Sequence, residues 1–340
     1  MAPEKVETVM SEMSIEIVLV ILLILSAEFV NGWTDAPNAV ATVISTRVLR
    51  PITAVIMASL FNLAGVLLAG TAVATTIGKG IVNPEMIDLT TIGAAMLGII
   101  IFSTIAWYFG LPTSESHALV SGLAGAALAK GGLETLIWTG WKKVLMGLGF
   151  STFLGFGCGF LLMVLIYKLF RRVHLGKIRS LFGRLQIASA AFMAFSHGTN
   201  DGQKFIGVFT LALVLGGVLP EFKVPYSIIF ICAAVMATGT IVGGWRIIRT
   251  MGFSLTKLEP VQGFAAETGA AATIELATRL GIPLSTTHTI TTAIMGVGAT
   301  RRFSAVRWGV TVRIVGGWIL TFPCCAAISF VTTKIVMWFE

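Results

Sequence analysis

Long apolar stretches separated by short polar segments run through most of this chain. Seven stretches are nearly free of charge, and a helix needs about 20 residues to cross the hydrocarbon core of a bilayer. They are Ile15–Phe29, Ala54–Ala74, Ile92–Phe109, Val144–Tyr167, Ile206–Val218, Tyr226–Gly244 and Gly309–Phe330. None alternates as a membrane-spanning strand does, and a helix satisfies its own backbone hydrogen bonds in lipid. The pattern predicts an all-α polytopic membrane protein with roughly ten to twelve transmembrane segments, some of them broken or re-entrant helices.

The composition agrees with a bilayer environment. Hydrophobic residues make up 56% of the 340 residues and charged residues only 12%, about half of the share usual in soluble domains. The first sixteen residues carry four acids against one lysine, unlike a cleaved signal peptide, so the first apolar run is predicted to be a retained span. The four cysteines lie in apolar runs without a Cys-x-x-Cys pair or an adjacent His, so they are predicted to be packing residues.

The net charge of +8 is concentrated in one basic stretch that contains no acid. Its basic residues are Lys168, Arg171, Arg172, Lys177, Arg179 and Arg184. Cytoplasmic loops of membrane proteins carry such an excess of Lys and Arg, so the stretch is predicted to be a cytoplasmic loop. A nucleic-acid or lipid-headgroup site is the less favoured interpretation, and no nucleic-acid partner is expected.

Two short motifs occur twice, in the same order and separated by nearly the same length of chain. Gly32–Asn38 (GWTDAPN) matches Gly198–Lys204 (GTNDGQK), and Leu111–His117 (LPTSESH) matches Ile282–His288 (IPLSTTH). One short match alone would carry little weight, but two in register indicate an internal duplication.

The duplication divides the chain into a first repeat at 1–167, a basic cytoplasmic linker at 168–184 and a second repeat at 185–340. The basic linker places the start of the second repeat inside, whereas the acidic start of the first repeat favours the outside. The two repeats are therefore predicted to have opposite orientations. Inverted repeats with a binding site at their interface are typical of secondary transporters.

Acidic residues within apolar segments are the first candidates for a functional site, since each costs about 2.5–3.5 kcal/mol near the bilayer centre. Six lie in or beside such segments: Glu28, Asp35, Glu115, Asp201, Glu267 and Glu275. On a helix Asp35 shares a face with Asn38, as Asp201 does with Lys204. The alternative for Asp201 is a simple intrahelical pair with Lys204, and the alternative for Glu28 is a position at the membrane interface.

The repeated Ser/Thr/His clusters are candidates for an anion site. Pro112 and Pro283 precede them, and because proline suits the first turn of a helix, new helices are predicted to begin at Ser114 and Ser285. Free N–H groups and hydroxyls at a helix start suit an oxyanion such as phosphate. Pro37 and the glycines of the first motif pair are expected to weaken the helices that carry the aspartates.

The two motif types together predict linked binding of an anion and a cation. Carboxylate, hydroxyl and amide oxygens suit a hard cation, and aspartates beside an oxyanion would repel it unless cations lie between them. Each ligand then raises the affinity for the other, as coupled symport requires. His117 and His288 are either proton carriers or structural hydrogen-bond donors. A hydrolase using Ser114 or Ser285 is disfavoured, because Ser and His three apart on one helix do not readily form a catalytic pair.

These motifs resemble the signatures of the inorganic phosphate transporter (PiT) family. The first signature is similar to the segment from Glu28 to Leu49, and the second, in its bacterial form, to Ser196–Lys204. The cluster Pro283–His288 and the segment Gly263–Glu267 fit as well. The resemblance implies a sodium- or proton-coupled phosphate symporter that works by alternating access between inverted repeats, not an enzyme. It also implies a multi-pass protein of the inner cell membrane and a homodimer.

The resemblance and the side-chain chemistry together assign candidate residues to each ligand. The predicted phosphate-binding residues are Asp35, Asn38, Thr113, Ser114, Ser116, Asp201, Lys204, Ser285, Thr286 and Thr287. The predicted sodium-binding residues are Asn31, Thr34, Asp35, Asn200, Asp201 and Glu267, the last because it matches a family acid linked to transport. No cofactor is expected beyond the transported sodium ions.

Three positions depart from the family pattern. Thr34 stands where the family usually has Asn or His, and Glu115 where it usually has Thr. Asn62 stands where many members have an acid paired in symmetry with Glu267. Sodium is favoured over the proton, because the predicted cage is rich in hydroxyl and amide oxygens and Thr34 replaces a titrating residue. A proton-coupled carrier of phosphate or metal phosphate, or a sulfate carrier, stays open as an alternative.

Overall fold

A computed structural model describes residues 14–339, and Glu4, Glu7 and Glu12 of the acidic start lie outside this range. The first half contains α1 (Ile15–Ser45), α2 (Pro51–Leu68), α3 (Ala72–Gly80), α4 (Leu89–Tyr108), α5 (Glu115–Gly131), α6 (Trp138–Gly149) and α7 (Gly155–Phe170). The second contains α8 (Leu175–Leu215), α9 (Tyr226–Val242), α10 (Trp245–Arg249), α11 (Pro260–Arg279), α12 (Thr286–Ala299) and α13 (Trp308–Phe339). Between residues 14 and 339 the only extended pairing is an isolated bridge, so the all-α prediction is confirmed.

The two halves contain matching helices in the same order. α1 to α5 correspond to α8 to α12, and α6 with α7 corresponds to the single helix α13. The packing between halves is matched as well: α1 packs on α9 while α8 packs on α2, and α5 packs on α13 while α12 packs on α7. The structure therefore repeats the duplication that the two motif pairs indicated.

Three pairs of residues with positive φ mark the same turns in both halves. They are Arg47 (62°) with Gly217 (72°), Gly70 (75°) with Gly243 (69°), and Gly110 (66°) with Gly281 (64°). Arg47 follows α1, where the Val48 amide donates to the Val43 carbonyl at 3.1 Å. Gly217 follows α8 with the same bond pattern. Arg47 thus occupies a turn that favours glycine.

Arg47→Gly is expected to raise the free energy of unfolding by about 1 kcal/mol, because a side chain in the left-handed region costs about 1–2 kcal/mol. A denaturant titration in detergent micelles measures the change. Arg47→Ala is the matched control, since it removes the guanidinium but keeps Cβ, and we expect no gain from it. An equal gain from both variants would assign the effect to the lost charge instead of to the backbone.

The corresponding helices α1 and α8 run in opposite directions. Buried side chains form two apolar clusters, and the first cluster contains Ile17–Ala27 of α1 together with Phe205–Leu213 of α8. The second cluster contains Ala39–Ile44 of α1 and Phe182–Ala194 of α8. The start of α1 therefore packs with the end of α8, as inverted repeats require. The polar motifs of both helices lie between the clusters.

Five helical stretches are long and apolar enough to cross a membrane, or six if one bent pair counts as a span. The bent pair joins α9 to Trp245–Ser254 at 59°. The remaining long or short helices fall below that criterion in length or hydropathy; they are α3, α5, α8, α11 and α12. The described helices are thus in line with a polytopic membrane protein, while the number of ten to twelve crossings stays a prediction.

α1 continues through Pro37 as one helix of 31 residues, and α8 continues through Gly198 and Gly202, so the residues expected to weaken these helices do not break them. The prediction for the basic stretch requires correction. The basic stretch predicted to be a loop at 168–184 is mostly helical, since α7 ends at Phe170 and α8 begins at Leu175. Side-chain charge indicates the side of the membrane but does not disfavour helix, because Lys and Arg are good helix formers.

Candidate functional site

The middle of α1 and the middle of α8 place two aspartates on either side of one histidine. His197 Nε2 lies 3.3 Å from Asp201 Oδ2 and 3.8 Å from Asp35 Oδ2. The other ring nitrogen of His197 lies 3.1 Å from Asn62 Oδ1 on α2, which fixes the ring. All four side chains are buried. Asp35, His197 and Asp201 together present ligand atoms within 4.8 Å of one another, close enough for a cation.

The helices α5 and α12 begin next to each other at this site. Ser114 and Ser285 cap them, each accepting the backbone N–H of the His three residues later at 3.2 Å. Both starts lie where the sequence predicted them. The Ser116 hydroxyl donates to the Leu284 carbonyl at 2.8 Å, which joins the first turn of α5 to the segment before α12. The backbone N–H groups of two helix starts are therefore brought together between the repeats.

Side chains from each repeat reach across to the helix start of the other repeat. Asn38 of α1 donates to the hydroxyls of Thr286 (3.3 Å) and Thr287 (3.0 Å). Lys204, which holds the corresponding position on α8, donates to Ser116 and to the Leu284 carbonyl. The crossed arrangement means that neither repeat forms the site by itself.

The two aspartates accept hydrogen bonds from the same threonine hydroxyls. Thr287 donates to Asp35 Oδ1 at 3.1 Å and Thr286 to Asp201 Oδ2 at 2.9 Å, and Asp201 also forms an ion pair with Lys204. We call this group the central cage. It consists of Asp35, Asn38, Ser116, His197, Asp201, Lys204, Thr286 and Thr287, all of them buried. All eight of these side chains are polar, and they can bind cations through oxygen atoms or oxyanions through N–H and O–H donors.

Glu115 adds a third carboxylate beside the cage. Its two oxygens accept hydrogen bonds from Thr34 (2.9 Å) and Ser103 (2.7 Å), and it is buried at the first position of α5. Of the carboxylates of Asp35, Glu115 and Asp201, only that of Asp201 forms an ion pair with a lysine or arginine among residues 14–339, and its partner is Lys204. Buried charges are normally paired or bound to cations, so Asp35 and Glu115, which have no lysine or arginine partner in this range, are candidates for cation binding.

Glu267 on α11 forms a separate polar cluster. Its carboxylate accepts hydrogen bonds from Thr42 (2.5 Å), Gln186 (3.1 Å) and Ser189. The expected symmetry of Asn62 with Glu267 is wrong, because Asn62 lies on α2, which corresponds to α9, whereas Glu267 lies on α11, which corresponds to α4. The hydrogen bonds of Glu267 go to Thr42, Gln186 and Ser189 and not to the cage aspartates.

Other predicted ligands also lie beside the cage instead of in it. The amide of Asn200 donates to Thr278 (2.9 Å) and the Ile282 carbonyl (3.3 Å), away from the aspartates. The amide of Asn31 donates to Glu28 at 3.0 Å. Thr34 contacts Glu115, and Thr113 is buried without a side-chain hydrogen bond to the cage. Ser114 and Ser285 use their hydroxyls as helix caps.

His117 and His288 contact each other behind the helix starts. Their ring centroids are 4.7 Å apart, and His288 lies 3.7 Å from Trp318. The capping bonds join Ser114 and Ser285 to the backbone of these residues and not to their rings. This arrangement lacks the serine–imidazole contact that a hydrolase needs.

Three residues that contribute to the site were not assigned to it from the sequence. His197 stands four residues before Asp201, so helical periodicity already places both on one face, and this signal was available. Ser103 and Asn62 lie on α4 and α2, and no motif connects them with the aspartates. Their roles depend on helix packing and become visible only in the structure.

Comparison with known proteins gives consistent results. The family model described as "Phosphate transporter family" matches residues 31–329. A Rhizobium meliloti (strain 1021) protein named "Probable low-affinity inorganic phosphate transporter" is 47% identical over 303 residues, which cover 89% of this chain and 91% of the relative. A Bacillus subtilis (strain 168) protein of the same name is 39% identical over 323 residues, or 93% and 97% of the two chains.

A solved structure has the same fold. It is named "The sodium-dependent phosphate transporter" and superimposes with a TM-score of 0.88, covering 96% of this chain and 100% of its own. Its sequence identity is 22%, so the likeness concerns the fold.

Proposed function

Because the chain belongs to the phosphate transporter family, we propose that it carries inorganic phosphate across the inner cell membrane together with sodium ions, by alternating access. The observation that carries this proposal is the central cage. Aspartates from the antiparallel helices α1 and α8 meet there with the starts of α5 and α12. The cage lies between the two apolar clusters and is buried from both sides.

The charges of the cage favour binding of anion and cation together. Phosphate at the helix starts would lie close to Asp35 and Asp201, whose charges repel it in a medium of low dielectric constant. Cations bound to these aspartates would remove the repulsion and add attraction. Each ligand then raises the affinity for the other by the same factor, which is the thermodynamic basis of coupled transport.

Sodium is the cation that the surroundings favour. The Thr286 and Thr287 hydroxyls lie against the aspartates, and together with the carboxylates they offer oxygen ligands of the kind that hard cations prefer. The names of the two relatives mention phosphate without a coupling ion, whereas the name of the solved structure with the same fold mentions sodium. Glu267 and its hydroxyl neighbours are a candidate for a second sodium ion.

His197 supports a second candidate function. A histidine between two aspartates suits a proton or a divalent metal as well as sodium. The alternative is therefore a carrier that couples phosphate or metal phosphate to protons. Sulfate, another tetrahedral oxyanion, is the alternative substrate.

Purified protein in liposomes distinguishes these functions. Uptake of labelled phosphate is measured under an inward sodium gradient, an inward proton gradient or neither, with excess sulfate as competitor. We expect uptake with the sodium gradient alone and little competition by sulfate. Uptake that ignores sodium would reject the sodium proposal, and uptake that follows the proton gradient or requires a divalent metal would favour the alternative.

A further inference from the structure

Two cavities occupy corresponding positions in the two repeats. The first, of about 480 Å³, lies between the end of α4 and α10, and Gly110 contributes to its wall. The second, of about 450 Å³, lies between the α2–α3 turn, α8 and the end of α11, and its lining residue Ala72 packs against Gly281, which corresponds to Gly110. Each cavity adjoins the segment that leads to one helix start of the central cage.

The two cavities differ in charge. The first is lined by Arg246 and Arg249 and contains no acidic residue in its wall. The second contains Glu275 together with Arg279. Within residues 14–339, neither Arg246 nor Arg249 forms an ion pair with a carboxylate. The first cavity therefore presents uncompensated positive charge.

The guanidinium of Arg246, an exposed side chain, contacts the end of α4 in three ways. Its Nη1 donates to the Tyr108 carbonyl at 2.5 Å, and its Cζ lies 4.7 Å from the Tyr108 ring centroid and 5.3 Å from that of Trp107. Stacking on aromatic rings fixes the plane without using the N–H groups. Arginine has five N–H donors, so most of them remain for a ligand, and their planar arrangement matches the oxygens of a phosphate group.

The first cavity is also in contact with elements of the cage. The Thr250 hydroxyl donates to the Gly110 carbonyl at 2.8 Å, and the chain from Gly110 reaches the cap of α5 at Ser114. Trp107 packs on Trp33 with ring centroids 4.4 Å apart, and Trp33 directly precedes Thr34 and Asp35. The cavity is therefore connected to the cage through packed residues and a short stretch of chain.

We propose that the first cavity is a second phosphate-group site, in which Arg246 and Arg249 bind an oxyanion outside the central cage. The residues after Arg246 belong to the second apolar cluster, at the same end as the basic start of α8, so this site faces the cytoplasm by the charge rule. The ligand is inorganic phosphate or the phosphate of an anionic lipid headgroup. The proposal goes beyond the proposed function, because this site needs neither sodium nor the aspartates.

A binding experiment without sodium isolates the site. Full-length Asp35→Asn protein in neutral detergent and potassium buffer is titrated with inorganic phosphate while tryptophan fluorescence is followed, since Trp107 and Trp245 flank Arg246. We expect a saturable change that Arg246→Gln and Arg249→Gln each weaken by about tenfold, since hydrogen bonds to charged groups are the strong ones. Arg279→Gln, in the wall of the second cavity, is the matched control and should bind phosphate like its parent.

Further arms identify the source of the phosphate group and test folding. The titration is repeated in nanodiscs of phosphatidylcholine with or without phosphatidylglycerol. A response to inorganic phosphate supports a site for the free anion. A response only to phosphatidylglycerol, lost in Arg246→Gln, supports a headgroup site of the same chemistry. Arg246→Lys keeps the charge but not the planar fork, and we expect it to elute as a folded protein with intermediate affinity.

Three results would overturn the proposal. The first is equal phosphate binding by the parent, Arg246→Gln and Arg249→Gln in every arm of the experiment. The two arginines would then only mark the cytoplasmic side of the membrane. The second is an equal loss in Arg279→Gln. The third is the same response to potassium chloride at matched ionic strength. Because sodium-driven uptake is measured separately, failure of this site leaves the symport proposal intact.

Discussion

Asp35→Asn and Asp201→Asn are each expected to lower sodium-driven phosphate uptake by roughly 100-fold, since coupling between two ligands is commonly about 1–3 kcal/mol. The amide keeps the size of the side chain, and its oxygen still accepts the hydrogen bond from Thr287 or Thr286. Both variants lose the negative charge that holds the cation, and Asp201→Asn also leaves Lys204 without its ion-pair partner. The measurement is initial uptake in liposomes at a fixed sodium gradient.

Glu85→Gln is the matched control for these variants. Glu85 is an exposed acid in the short turn before α4, so the same chemical change there should leave uptake unaltered. The size-exclusion profiles of Asp35→Asn and Glu85→Gln should equal that of the parent protein, whereas Asp201→Asn is expected to be less stable because Lys204 loses its partner. If Asp35→Asn and Asp201→Asn both carried phosphate at the parent rate, the cage would not be the transport site.

Lys204→Met is expected to lower the free energy of unfolding by about 3–5 kcal/mol, the usual cost of leaving a buried charge without its partner. Methionine fills a similar volume but cannot donate to Asp201, Ser116 or the Leu284 carbonyl. A denaturant titration in detergent micelles measures the loss. Phosphate uptake should also disappear, because the donor that joins α8 to the start of α5 is gone.

The double variant Asp201→Asn/Lys204→Met separates the charge effect from general damage. With both charges removed, most of the stability should return, whereas uptake should stay absent. Lys143→Met is the matched control, because the Lys143 ammonium makes one long contact of 3.4 Å with Thr76 and is only partly buried. Equal destabilisation by Lys204→Met and by the double variant would mean that the ion pair does not stabilise the protein.

The helix starts at the site could be predicted because their signals are local. Pro112 and Pro283 restrict the residue before them, and Ser114 and Ser285 have the side chain that caps a first turn. The aspartates were likewise identifiable, since a carboxylate in an apolar segment is costly wherever it lies. The duplication followed from two motif pairs in register. These features depend on neighbouring residues in sequence and not on packing.

Packing decided the features that the sequence did not reveal. Proline should break a helix, yet α1 continues through Pro37, and Gly244 lets α10 begin close to the Trp33 carbonyl that Pro37 leaves without its usual donor. A Cβ on Gly244 would lie 2.9 Å from that oxygen. Asn200 was assigned from its motif, although adjacent helical residues point about 100° apart, so Asn200 and Asp201 face different neighbours.

The crossed packing of the two halves has a consequence for biosynthesis. α5 is short of the hydropathy of an independent span, nearly all of its residues are buried, and its most extensive helix contact is with α13, the last helix of the chain. The ribosome therefore completes α13 long after α5 has emerged. Until then the start of α5 has its contacts with α1 and α4, through Thr34 and Ser103, but the face that packs on α13 stays uncovered, so a truncation before Trp308 would expose that face.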